Sequence, residues 1–156
     1  MIYLAVIGPS ECSPGEEEAA FRVGALIASR GAVLVCGGGG GVMEAAARGA
    51  KSENGVVIGI LPGESNRAGN PNLSYALATG LGEARNAIIT RTADAVIAVG
   101  GEYGTLSEIA LAMKMGKQVV LLDSWRLQPA RHVERSPITA KNAAEAVELA
   151  YRAVQP

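Results

Sequence analysis

Residues 94–113 run from a string of Ala, Val and Ile straight into Gly100, Gly101 and Gly104, then into apolar positions of helical period at Leu106, Ile109, Ala110 and Met113. That order reads as a buried strand, a glycine turn and a helix packed back on the sheet. The first backbone N–H groups of a helix have no internal partner and carry the positive end of its dipole. Glycines at such a turn let an anion come close to them. Two more strand ends have small, flexible residues: residues 32–36 lead into Gly37 to Gly41, and residues 2–7 end in Gly8, Pro9 and Ser10. In an open parallel sheet ligands bind beyond the carboxyl ends of the strands, so three such ends converging are a stronger signal than any one of them.

The rest of the chain repeats the alternation. Ser13, Pro14 and Glu16 have the spacing of a capping box with Pro at the first helical position, opening a helix that Gly31 ends. Its expected inner face is Ala20, Val23, Ile27 and Ala28. A helix over 42–52 is rich in Ala, and Asn54-Gly55 marks a turn before a third strand at 56–61. Residues 63–75 lack periodicity and read as a long surface loop, either a lid or a variable connection. A short strand is expected at 77–81, a helix at 83–92, a strand at 117–122 and a last edge strand at 132–135. Asn142 and Glu145 then open a final helix with Ala146, Val147, Ala150 and Val154 inward. This is the pattern of an α/β fold, a doubly wound parallel sheet with helices on both faces.

Composition narrows the function. The 156 residues form one expected domain, and 49% hydrophobic with 19% charged residues is an ordinary globular balance. A net charge of −1 without any Lys/Arg run lacks the footprint of a nucleic-acid binder, although Arg67, Arg85 and Arg91 supply local positive charge. Cys12 and Cys36 form neither a disulfide framework nor a zinc pattern. The absence of a basic leader and of any apolar run near ~20 residues makes the cytoplasm the expected compartment, with no membrane partner.

Gly101-x-x-Gly104-Thr105-x-x-Glu108, with Glu83-Ala84-Arg85-Asn86 before it and Gly37 to Met43 earlier, resembles the lysine-decarboxylase-like superfamily over nearly the whole chain. That superfamily includes the Lonely-guy-type phosphoribohydrolases and the molybdenum-cofactor carrier proteins. The resemblance implies a Rossmann-like fold and a dimer or larger homo-oligomer. It also implies, for the hydrolases, a catalytic pair at Arg85 and Glu108, which have the hydrolase separation of 23 residues. The reaction so implied splits the N-glycosidic bond of a nucleoside 5′-monophosphate. The residues expected around a phosphorylated ligand are Gly8, Ser10, Gly38, Gly39, Gly40, Gly41, Val42, Met43, Arg85, Asn86, Gly100, Gly101, Gly104 and Thr105. Thr105 and Glu108 also have the spacing of a capping box, in which Glu108 would only bond the Thr105 N–H.

Three departures weigh on the enzymatic reading. Gly100 stands where the hydrolase motif has Pro, Glu102 where it has its second Gly, and Asn86 where a Lys usually follows the Arg. The glycine loop is one residue shorter than in those hydrolases, and together with the segment from Gly80 to Asn86 it places the chain nearer the carrier branch. Pyridoxal-phosphate decarboxylation finds no support, because Lys51, Lys114, Lys117 and Lys141 all lie outside these loops. The expectation is a carrier or binding protein for a phosphorylated nucleotide or pterin-type ligand, molybdenum cofactor or nucleoside monophosphate, with the phosphoribohydrolase as the alternative. No cofactor or metal is expected to be required. Alanine-rich faces at 45–50 and 111–115 are candidates for packing between subunits.

Overall fold

The computed structural model describes residues 1–155. Seven strands form one all-parallel sheet: β1 (Tyr3–Ile7), β2 (Val33–Cys36), β3 (Val57–Leu61), β4 (Tyr75–Ala78), β5 (Ala95–Val99), β6 (Gln118–Leu122) and β7 (Ile138–Ala140). Their order is β4-β3-β2-β1-β5-β6-β7. The order reverses at β1, whose neighbours are β2 and β5, both in parallel register. β2 and β5 are wholly buried and β1 is buried from Leu4 on, as runs of Val, Ile, Leu and Ala covered on both faces must be.

Five helices cover the sheet: α1 (Pro14–Ser29), α2 (Val42–Ser52), α3 (Asn86–Thr92), α4 (Tyr103–Lys114) and α5 (Ala143–Arg152). α1, α2 and α5 bury one face around Leu4, Val6, Leu34 and Ile97. α3 and α4 bury the other around Ala5, Ile7, Val35 and Val96. The capping box at Ser13 and Glu16 forms in full, with Glu16 N–H donating to Ser13 Oγ at 3.2 Å and Ser13 N–H to the Glu16 carboxylate at 2.8 Å. Asp94 accepts from the Tyr3 N–H at 2.9 Å and so ties β5 to the start of β1.

Several expectations need correction. The fourth strand begins at Tyr75, two residues before the expected start, and the residues at 77–81 only partly belong to it. The helix at 83–92 is two pieces, a 3-10 turn (Gly82–Arg85) and then α3, because Gly80 and Gly82 take positive φ of 64° and 56° and bend the entry. The last strand is at Ile138–Ala140, and residues 132–135 are loop. The buried face of α4 is Thr105, Glu108, Ile109 and Ala112, while Ala110 is exposed. Glu102 is the N-cap of α4, so Thr105 lies inside the helix and the capping box at Thr105 and Glu108 does not form. The Glu145 carboxylate bonds the Lys141 N–H at 2.6 Å, and only the Asn142 half of that box is made. Ala45, Ala46, Ala47 and Ala50 are buried within the chain, where α2 packs on α1, and are not free to face another subunit.

Candidate functional site

Three strand ends and two helix starts meet at the reversal in the sheet. They enclose a pocket of about 200 Å³ lined by Ile7, Gly8, Pro9 and Ser10 after β1, Gly37 and Met43 after β2, Arg85 and Asn86 at the start of α3, and Glu102, Gly104, Thr105 and Glu108 of α4. Of the expected residues, Gly8, Ser10, Met43, Arg85, Asn86, Gly104, Thr105 and Glu108 line it together. Gly38 to Val42, Gly100 and Gly101 do not.

The excluded residues have other work. Val42 is fully buried and its N–H donates to Pro9 O at 3.0 Å, so that amide is not available to an anion. A Cβ on Gly41 would stand 2.4 Å from Pro9 O, and one on Gly8 2.5 Å from the Val42 side chain. The glycines thus let the β1 and β2 loops touch. The long connection over 63–75 serves as a clasp for the same loop, for Asn70 donates from its backbone N–H to Gly38 O and from Nδ2 to Gly39 O, both at 2.9 Å. The N–H of Gly100 goes to Leu122 O at 3.1 Å.

The first turn of α4 presents free backbone donors to the pocket. Its first helical bond is Leu106 N–H to Glu102 O at 2.9 Å, and the N–H groups of Tyr103, Gly104 and Thr105 have no acceptor among the described residues. Open space lies where a Gly104 Cβ would be. Asn86 Nδ2 donates to Ser107 Oγ at 3.3 Å and Ser107 Oγ to Gly104 O at 2.6 Å, which fixes this turn against the start of α3. Ser107 carried no signal in the sequence, although its place three residues after Gly104 sets the two on one helix face.

Arg85 reaches back under the pocket, where its Nη1 donates to Gly37 O and Ile60 O at the ends of β2 and β3. Burial lowers its pKa, and the nearby Glu108 charge opposes that. Glu108 is 7% exposed as a residue, its carboxylate opens on the pocket, and it has neither a hydrogen bond nor an ion pair among the described residues. Burial raises its pKa to about 7 against the weaker pull of Arg85. Cys36 behind them is buried and pushed up to about 11, which makes it a neutral packing group. A larger depression of about 470 Å³ lies between α1 and α5, but its charged residues Glu18, Arg22, Asp123 and Lys141 are all exposed and it sits away from the sheet's reversal. No group of His, Cys, Asp and Glu suited to a metal ion occurs among the described residues. No helix among them is long and apolar enough to cross a membrane.

An all-parallel sheet with its crevice at the strand-order reversal defines a Rossmann-like α/β protein. Residues 1–153 match the SLOG cluster4 family, and the chain belongs to it. An uncharacterized protein of Archaeoglobus fulgidus is 50% identical over 122 residues, 78% of this chain and 80% of that one. Among solved structures, the molybdenum cofactor binding protein from Rippkaea orientalis superposes with a TM-score of 0.89 at 36% identity, covering 99% of this chain and 98% of that one. The molybdenum cofactor carrier protein from Chlamydomonas reinhardtii gives 0.85 at 30% identity over 99% of both.

Proposed function

We propose that the chain binds and carries a phosphorylated small molecule of pterin or nucleotide type, the molybdenum cofactor being the first candidate, with its phosphate on the first turn of α4. The observation that carries this is the set of unpartnered N–H groups in the first turn of α4, of which Gly104 and Thr105 line the same pocket as Ser10, Arg85 and Asn86. Full-length likeness to the Rippkaea orientalis and Chlamydomonas reinhardtii proteins favours the pterin. A pocket of about 200 Å³ suits the phosphate end, leaving the ring system to extend past Ser10 and Glu102 at the mouth.

One observation favours hydrolysis of a nucleoside 5′-monophosphate as a second reading: Arg85 and Glu108 line one pocket, and Glu108 has a pKa of about 7, suited to proton transfer. Incubation with a panel of nucleoside monophosphates, followed by chromatography of free base and ribose 5-phosphate, separates the two. Release that disappears in Glu108→Gln makes the chain a hydrolase. Retention of molybdenum cofactor through purification without any release makes it a carrier, and failure to bind either class overturns both.

We also infer self-association. The residues 68–82, which include β4, contain no charged side chain, and Tyr75, Leu77 and Leu81 are exposed there. A second copy of the chain is the occupant that such a neutral apolar surface fits.

A further inference from the structure

Glu108 is a buried carboxyl that the chain itself leaves without a partner. It lies one turn beyond Thr105, and helical side chains lean toward the N-terminus, so its carboxyl stands below the free N–H groups of the first turn. The one cation beside it is Arg85, which gives Nη1 to two backbone carbonyls, keeps a buried Nε without a partner and makes no ion pair within 4 Å of Glu108. The other groups facing it are Cys36 on β2 and the exposed Glu102 at the mouth. Ile7 to Ser10 from β1, Gly37 and Met43 from the β2–α2 connection, and Asn86 from α3 bring no charge.

An anion held on the α4 amides would bring a second negative charge into the pocket that holds Glu108, with Arg85 the single cation lining it. Two negative charges in one pocket that share a single cation repel, and protonating the carboxyl removes the repulsion and creates a donor. We propose that Glu108 binds the ligand's phosphate as a neutral carboxylic acid, donating its proton to a phosphate oxygen, so that the anion is taken up with a proton and released as that proton is lost. Glu108 then sets the pH at which the protein loads and unloads. The proposal rests on the pocket being the phosphate site argued above.

Phosphate monoesters titrate near neutrality themselves, so sulfate, a dianion throughout this range, is the probe. Its affinity is measured by calorimetry from pH 5 to 9 for the wild type, Glu108→Gln and Glu102→Gln. The free Glu108 titrates at about 7. Wild-type affinity should stay level below that pH and fall about tenfold per unit above it, with up to one proton taken up per sulfate at pH 8. Glu108→Gln, which keeps a donor but cannot ionise, should bind independently of pH and more tightly than wild type at pH 9. Glu102→Gln should keep the wild-type slope. A wild-type affinity that does not vary with pH, or a slope that survives in Glu108→Gln, overturns the proton coupling while leaving the phosphate site standing. Absence of sulfate binding at every pH overturns the phosphate site, and this inference with it.

Discussion

Glu108 costs the free protein stability. A carboxyl whose folded pKa is about 7 and whose ordinary value is 4.5 takes up a proton on folding. Its contribution is therefore full below about 4.5, declines as pH rises to about 7 and is level beyond that, a loss on the order of 3 kcal/mol. In buffer free of sulfate and phosphate, Glu108→Gln should unfold at a higher temperature than wild type at pH 8, and the gap should close as pH falls to 4.5. A variant that is less stable at pH 8 would mean that the carboxylate has a partner in the folded chain. Gly104 is the complementary case. A side chain there meets nothing within 4 Å and the helix gains in propensity, so Gly104→Val should melt within about 2 °C of wild type. It should also weaken sulfate or phosphate ~tenfold or more by covering the free N–H groups. Unchanged affinity removes the α4 turn from the site. That Arg85 and Glu108 share a pocket was legible only through the family resemblance, and that Gly104 and Thr105 line it through the turn after a buried strand. The Val42 amide was not, because its bond to Pro9 O depends on how two distant loops meet.

At the scale of elements, the closest approach in the molecule is between α1 and α2. A Cβ on Gly24 would lie 1.9 Å from Ala46 O, and one on Gly49 1.9 Å from Phe21 O, so each helix presses a glycine onto the other's backbone. Gly49→Ala must push the helices apart, at about 1–3 kcal/mol or more, and should lower the melting temperature by roughly 5–10 °C. A melt unchanged from wild type would show that the two helices slide freely. The alanine-rich run of α2 announced close packing correctly, but composition does not name the partner, and that partner is α1 as well as the sheet. The elements that the sequence blurred are those that tertiary geometry defines. β4 is only four residues long and mostly exposed, and its apolar run Tyr75–Ala78 continues into Thr79 to Leu81 without a signal that fixes its ends. β7 is three residues long, and the 3-10 turn before α3 exists because left-handed Gly80 and Gly82 carry Arg85 back to the strand ends. Each of these flanks the crevice or the sheet edge, where function and exposure override periodicity.

For the whole molecule, the decisive asymmetry is in how the two faces of the sheet are covered. On one face α3 packs over β1 and β2 and α4 over β5 and β6, while the edge strand β4 is left largely uncovered. Tyr75 and Leu77 pair in register with Ile58 and Ile60, so all four point to that face, and Tyr75 and Leu77 are 63% and 51% exposed. A parallel sheet is normally covered on both faces, and this one lacks its cover where the chain has no charged residue from 68 to 82. Around a two-fold axis each charge meets the surroundings of its own copy, so an uncharged surface is the kind that pairs with itself without repulsion. Sedimentation should therefore give the wild type a mass at least twice the 15.9 kDa of one chain. Leu77→Glu, which sets a carboxylate against its own image, should sediment as the single chain with its secondary structure intact. A monomeric wild type, or an oligomer that Leu77→Glu leaves unchanged, would mean that this edge faces something other than a second copy.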